Sequence, residues 1–512
     1  MKKIKRALIS IYNKKNLKKL LICLKKFNIE ILSSGGTFKE IKRLGFACEE
    51  ISSYTKSSEI LEGRVKTLHP KIHAGILNKR NSKKHKQEMK MNNYSQIDLV
   101  VVNFYPFEEI LNKTKDHNRI IENIDIGGPT MVRAAAKNYK DVTVITSETQ
   151  YDKLIKNIKI NRGKTSLEFR KKMSLEAFSE TGYYDSLISN YFCNISNENF
   201  PKKKVIGLKF LQKLRYGENP HQKASIYEFF KSFNLKKLSG KELSYNNYSD
   251  IFSALKISKS LPKDTGTAIV KHGNPCGVSM HKEKIESFRL AFKTDPISAY
   301  GGIVSCNFKI NEELAKELNK KFFEVIIGNG FENKAIKNLK KKKNVRIIDS
   351  SKIGKISDIK IISNEGSFLL QTPDDKKFEI KNFKVVSKAK PNIKTFKNLI
   401  FAFNVCRFVK SNAIVLTNKE TTVGIGSGQP SRLDSCELAI NKMNKFHKLQ
   451  NEEILAASDA FFPFVDGIEK LVQSGITGII QPYGSIRDKE IIDFANKTKT
   501  VLVFSKTRHF NH

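Results

Sequence analysis

Tryptophan is absent from all 512 residues, and cysteine is scarce: seven occur, at positions 23, 48, 193, 276, 306, 406 and 436, each isolated in sequence. With no CxxC and no paired spacing in a small frame, a disulfide scaffold and a cysteine-based zinc site are both excluded. No HExxH occurs, and His281-Lys282-Glu283 has no PCxxC after it, so the common zinc signatures are missing and no metal is expected. No apolar run approaches the roughly 18 residues that a membrane span requires. Met1-Lys2-Lys3 leads directly into ALISI and not into the apolar core of a signal peptide, so the chain is expected to be cytoplasmic.

Acidic residues are also in short supply. Fifty-one Asp and Glu stand against 92 Lys and Arg, a formal net charge of +41. Such an excess raises a nucleic-acid reading, because clustered cations release counterions from a phosphate backbone. Here, however, lysine and asparagine fill polar positions everywhere, on helix faces such as NLKKLLICLKKFN and in loops such as KNLKKKKN. A solvated cationic surface is expected, with no specific nucleic-acid partner, and its field favours small anionic substrates. At 39 % hydrophobic and 28 % charged residues the composition is that of a globular protein. The length calls for two to four packed units at roughly 100–200 residues each.

Strand and helix alternate over the first 150 residues. ALISI is followed by a helix with Leu17, Leu20, Leu21, Leu24 and Phe27 on one face, then by the strand EILSS and a helix carrying Phe38, Ile41 and Leu44. DLVVVNF and DVTVIT are continuous apolar runs, the mark of parallel strands buried on both faces. An open α/β sheet is therefore expected for 1–150, a helical extension and linker for 151–199, and a second α/β region for 200–512. The lysine-rich stretch 337–360 divides that region into two subdomains, and no fixed-period repeat is visible.

Several loops concentrate chemistry. Ser33-Ser34-Gly35-Gly36-Thr37 lies between a strand and a helix, either as an anion cradle or as a turn that needs glycine. Gly63-Arg64-Val65-Lys66-Thr67-Leu68-His69-Pro70-Lys71-Ile72-His73 gathers cations, a hydroxyl and histidines in one irregular segment. Asn103-Phe104-Tyr105 ends a strand, where open sheets bind ligands. Asp125-Ile126-Gly127-Gly128-Pro129-Thr130 opens a helix that carries Lys137; the pair serves either chemistry or helix capping.

Farther on, Lys271-His272-Gly273-Asn274-Pro275-Cys276-Gly277 follows the buried strand TAIV, setting a cation beside a general base at the lip of a cleft. Cys276 has no base partner and reads as structural. Arg215 and Tyr216 belong to a polar loop, and Gly424, Gly426, Gly428 and Arg432 to a second anion-binding turn or a plain hairpin. Ser458 to Phe464 reads equally as core or as a stacking wall. Arg508 to His512 is terminal, where disorder is the default, although the preceding strand TVLVF favours docking.

GRVKTLHPKIHAGIL, NIDIGGPTMVRAAAKN, LRYGENPHQ, KHGNPCG, GIGSGQ and ASDAFFPF together resemble the AICAR transformylase/IMP cyclohydrolase family, from ALISI to the terminal RHFNH. The resemblance implies a methylglyoxal-synthase-like open sheet followed by two zinc-free cytidine-deaminase-like subdomains. It implies formyl transfer from the cosubstrate 10-formyltetrahydrofolate to AICAR, then closure of formyl-AICAR to IMP, in a homodimer with transformylase sites across the interface. For ring closure it implies Lys66, Tyr105, Asp125 and Lys137 as catalytic residues. Lys14, Ser34, Gly35, Gly36, Thr37, Arg64, Thr67 and Asn103 would hold the nucleotide. For formyl transfer it implies Lys271 and His272, with Arg215, Tyr216, Gly301, Asn412, Arg432, Phe461, Asp466 and Arg508 around the ligands. Three segments depart from the family pattern. Tyr12-Asn13-Lys14-Lys15-Asn16 replaces SDKTG, Ser298-Ala299-Tyr300-Gly301-Gly302 replaces SAFGG and is expected to put a phenol beside the imidazole, and Phe401-Ala402-Phe403 replaces FAW.

Overall fold

The computed structural model describes residues 1–229, 235–354, 359–449 and 451–512. Two compact units result, one built on Met1–Lys209 and the other on Phe210–Tyr227 with the segment that ends at His512.

In the first unit the strands run in the order Glu49–Glu50, Glu30–Ser33, Arg6–Ile11, Leu99–Asn103 and Thr143–Ile145, every neighbouring pair parallel. Leu99 to Val102 are buried, as a strand covered on both faces requires. The helix Leu17–Lys26 buries Leu17, Leu20, Leu21 and Leu24 on the sheet. Beyond residue 150 the chain forms the helices Tyr151–Ile160 and Leu167–Ile195. The second of these packs on the helix Gly127–Lys137 and the strand Thr143–Ile145. Arg170 fastens it there: its guanidinium is buried and donates to the carbonyls of Tyr139, Lys140 and Thr165 at 2.8, 3.0 and 2.6 Å. A buried guanidinium is tolerated only when its donors are spent in this way.

The second unit holds one twelve-stranded sheet, and its two halves have the same topology. The first half runs in sequence as an edge strand Lys236–Ser239, the helix Tyr245–Ser260, a hairpin of Gly266–Lys271 and Asn274–Met280, and the helix Lys284–Thr294. Three strands follow, Ile303–Cys306, Val325–Gly328 and Arg346–Asp349, with a helix in each interval. The second half repeats this order with Phe383–Val385, Ile393–Cys406, the hairpin Ile414–Asn418 and Thr421–Gly426, Arg432–Phe446, and then Ile454–Ser458, Ile476–Pro482 and Val501–Ser505. In both, the three late strands are mutually parallel and the edge strand is antiparallel to the last.

The resemblance implied two like subdomains, but no residue-level repeat is visible in the sequence, because a topology constrains only burial and a few close approaches. What persists is Ala268-Ile269-Val270 against Ala413-Ile414-Val415, and one glycine in each half. A Cβ on Gly277 would stand 1.9 Å from the carbonyl oxygen of Ala291, and one on Gly424 would stand 2.2 Å from that of Ala439. Each glycine lets a helix lie directly on its hairpin.

The halves join where Ser279 pairs with Thr421. Hydroxyls extend this short ladder: Thr422 Oγ1 accepts from the Val278 N–H at 2.9 Å, Thr294 Oγ1 donates to the Thr422 carbonyl at 2.6 Å, and Ser279 and Thr421 share a bond of 2.8 Å. Of the stretch 337–360, residues up to 349 contribute to a helix and a strand of the first half, and 355–358 lie outside the described residues. The C-terminal segment is docked, with His509 buried and its N–H donating to the Asp459 carbonyl at 3.0 Å.

A Gly424→Ala substitution is expected to lower unfolding stability by about 1–3 kcal/mol, since backbone must move to admit the methyl group. Chemical denaturation of the two proteins measures it, and an unchanged midpoint would contradict the close approach.

Candidate active sites

The strands Arg6–Ile11, Glu30–Ser33 and Leu99–Asn103 are parallel and end at one edge of the first unit's sheet, and their loops enclose a cleft of about 620 Å³. Lys14, Ser34, Gly35, Gly36, Thr37, Arg64, Lys66, Thr67, Asn103, Tyr105 and Asp125 line it. The helix Gly35–Arg43 begins in the cleft, so the N–H groups of its first turn have no acceptor within the helix. Gly35 has φ +51°, and Lys66 Nζ lies 2.9 Å from where a Cβ on it would stand; Lys14 Nζ lies 3.7 Å from the same position on Gly36. Two ammonium groups and a helix N-terminus thus face one point, an arrangement suited to a phosphate.

The Thr37 hydroxyl is already committed, accepting from the Ile11 N–H at 3.0 Å and donating to its carbonyl at 2.9 Å. Only its main-chain N–H remains for a ligand. Asn103 acts as a staple: its Oδ1 accepts from the N–H groups of Tyr12 and Asn13 at 2.6 and 3.0 Å. The Tyr12 ring then stands edge-on to Tyr105, centroids 5.9 Å apart, so one of the family departures becomes cleft wall. Lys66 is paired with Glu59 at 2.5 Å and Arg64 with Glu122.

Asp125 is the most constrained group. Its Oδ1 accepts from the Gly128 N–H at 2.8 Å, and the Tyr105 N–H also bonds its carboxylate. Burial outweighs these bonds and pushes its pKa above the ordinary aspartate value. Burial, with Asp125 and Glu59 nearby, likewise raises the Tyr105 phenol. Lys137 does not join them. It is exposed at the far end of the helix Gly127–Lys137, about 15 Å along the axis from Gly127, because an eleven-residue helix has that length.

In the second unit, Lys271 closes the strand Gly266–Lys271, and His272-Gly273 form a two-residue hairpin turn with φ of +54° and +74°. Such turns favour Asn and Gly, so a histidine there is held by its surroundings. Asp250, on the helix Tyr245–Ser260, supplies the hold, accepting from the N–H groups of His272 and Gly273 at 3.2 and 2.7 Å. Pro275 and Cys276 belong to the strand Asn274–Met280, where a register shift opposite Ile269 and Val270 admits the proline. Burial pushes the Cys276 thiol up to about 12, so it stays protonated.

A pocket of about 260 Å³ contains Lys271 and His272 together with Asn274, Ser298, Ser427 and Lys442. Lys271 Nζ donates to the Tyr300 carbonyl at 2.8 Å. Tyr300 is 64 % exposed, and its ring packs against Phe322. Gly301 follows it at φ +74°.

Asn412 and Arg432 form a second cluster, with Arg432 donating to Asn412 Oδ1 at 2.8 Å, Ser458 Oγ at 2.8 Å and the fully buried Asp459 at 2.5 Å. Lys410 connects the two places, its N–H donating to Asn274 Oδ1 and its carbonyl accepting from the Gly428 N–H. Arg215 stacks on Tyr216, Arg508 on Phe510, Asp466 opens the helix Asp466–Gln473, and Phe461 is half-buried beside the buried Phe462. None of these lines the Lys271 pocket. Asp250 and Lys442 were missed in the sequence because each lies on a regular helix and reaches its partners only through the fold.

The family described as AICARFT/IMPCHase bienzyme matches residues 135–442, and the MGS-like domain matches 16–130. The chain is 43 % identical to the bifunctional purine biosynthesis protein PurH of Aquifex aeolicus, over 99 % of this chain and all of that one. It is 42 % identical to PurH of Leptospira biflexa over the full length of both, and 44 % identical to PurH of Buchnera aphidicola over 99 % of each. A crystal structure of ForH aligns with 37 % of this chain and 99 % of its own at 28 % identity and a TM-score of 0.34, a likeness too slight to bear on the fold.

Asp125 carries a stability signature. An acid whose folded pKa is raised contributes stability that is full below its unfolded pKa and is lost as pH rises through the folded value. At pH 7 the ionised carboxylate therefore costs stability, and Asp125→Asn is expected to raise the unfolding midpoint at pH 7 and to lose that advantage near pH 4. Thermal unfolding across this range checks it, and a lower midpoint at pH 7 would contradict the burial of the charge.

Proposed function

The chain belongs to the AICARFT/IMPCHase bienzymes and performs the last two steps of IMP synthesis, formyl transfer to AICAR and closure of formyl-AICAR to IMP, and from that premise we propose where each step occurs. Ring closure belongs to the cleft of the first unit and formyl transfer to the pocket at Lys271 and His272. The observation that carries this assignment is the convergence of the strand-end loops on one cleft, where a helix N-terminus flanked by Lys14 and Lys66 shares the lining with Asp125 and Tyr105.

In ring closure the carboxamide nitrogen of formyl-AICAR attacks the formyl carbon, and the former formyl oxygen leaves as water. Lys66 stabilises the negative charge that develops on that oxygen, while Asp125 and Tyr105 move the protons that make water the leaving group. An aspartate with a raised pKa suits this exchange. The phosphate rests on the N–H groups at Gly35, Gly36 and Thr37 with Lys14, and Arg64 and Thr67 complete the grip.

In formyl transfer the acceptor amine of AICAR is a poor nucleophile, since its lone pair is conjugated with the imidazole. His272 removes the amine proton as the nitrogen attacks the formyl group of 10-formyltetrahydrofolate, Lys271 steadies the oxyanion, and tetrahydrofolate departs as the amine. Asn412, Arg432, Phe461, Asp466, Arg215, Tyr216, Gly301 and Arg508 form the surrounding ligand surface. In this reading two copies share the transformylase sites as a homodimer, working in the cytoplasm without a metal. The two half-sheets are the cytidine-deaminase-like pair, residues 200–512, and 1–150 is the cyclohydrolase.

His272→Ala is expected to lower formyl transfer by about 10²–10⁴-fold while supplied formyl-AICAR still closes to IMP, and Lys66→Ala to show the reverse. Chromatographic measurement of AICAR, formyl-AICAR and IMP for each variant tests it. Equal loss of both steps in a folded His272→Ala protein would mean one shared site.

A further inference from the structure

The Asp125 backbone is fixed by a side chain from far along the chain. Its N–H, in the turn before the helix Gly127–Lys137, donates at 2.8 Å to the hydroxyl of Tyr184, on the helix Leu167–Ile195. We propose that Tyr184 is a positioning residue of the ring-closure site, holding the loops of Asp125 and Tyr105 in mutual register. This rests on the reading of Asp125 as a ring-closure residue.

The tie reaches both loops. The Tyr184 ring packs on Phe104, centroids 5.0 Å apart, and edge-on to Phe107 at 6.0 Å, the residues that bracket Tyr105. Asp125 in turn accepts the Tyr105 N–H. Tyr184 is 4 % exposed, and burial pushes its phenol up to about 12, so it remains a neutral acceptor at working pH. Without its oxygen, a partly buried backbone N–H loses its partner and the turn carrying the carboxylate is free to shift. Small displacements of a catalytic group cost rate more than they cost binding, because the reacting geometry is stricter than the bound one. The Tyr184 hydroxyl bonds the main chain of Asp125, so its effect passes through the placement of that residue.

The test uses the full chain with Tyr184→Phe, which keeps the ring and removes only the hydroxyl. The kcat for closure of supplied formyl-AICAR is expected to fall about tenfold with KM changed less than about twofold, and formyl transfer to stay at the parent rate. Tyr191→Phe is the control. It removes a phenol on the same helix that bonds His117 at 2.8 Å and packs on Phe107 but does not meet Asp125, and closure should be unaffected. If Asp125→Asn abolishes closure while Tyr184→Phe matches the parent, the positioning role is overturned and the site stands. If Asp125→Asn leaves closure intact, the site reading falls and the proposal with it. Equal losses in Tyr184→Phe and Tyr191→Phe, or loss of formyl transfer in Tyr184→Phe, would assign the hydroxyl to general stability and also overturn it.

Discussion

Parallel strands all point the same way, so the loops that leave them open onto one edge, and the chemistry of the first unit is arranged by that constraint. Tyr12 to Lys14, Ser34 to Thr37 and Asn103 to Tyr105 come from three separate stretches of sequence and meet because their strands are neighbours in register. The edge also supplies unpaired N–H groups where a helix begins, which is why a phosphate is suited to the same place as the lysines. Asp125 enters from a fourth segment and needs anchoring of its own.

The second unit solves the problem differently. At its centre the strands are antiparallel, and the pair Lys271-His272 sits on a hairpin turn whose backbone needs support from Asp250. The equivalent turn of the other half, at Lys419 and Glu420, also has positive φ but carries no histidine or glycine. One half thus presents a histidine at its turn while its counterpart supplies the Asn412 and Arg432 cluster. The seam between them depends on hydroxyls as much as on ladder bonds, and through Lys410 it links the reactive turn to that cluster.

Much of this was legible in the sequence. Continuous apolar runs marked the parallel strands, and the glycine-rich loops marked the cleft, because burial and backbone geometry act locally. Lys137 stands apart from Asp125 because the motif that carries both is contiguous in sequence, whereas the helix it forms separates its two ends in space. The two like subdomains were expected from the motif resemblance and not from a repeat, since few residues, among them the Ala-Ile-Val strands and Gly277 with Gly424, are common to both halves. Asp250 and Tyr184 left no local signal, each being a polar group on a helix whose partner lies on another element.

The central claim is that a nucleotide occupies the cleft at the strand ends of the first unit. Hydrogen exchange read by mass spectrometry, with and without saturating IMP, tests it most directly, since the N–H groups of Gly35, Gly36 and Thr37 have no acceptor within their helix and exchange freely until a ligand takes them. The account predicts slowed exchange at residues 34–37, 64–67 and 125–128. Unchanged exchange at all three segments under saturating IMP would contradict it.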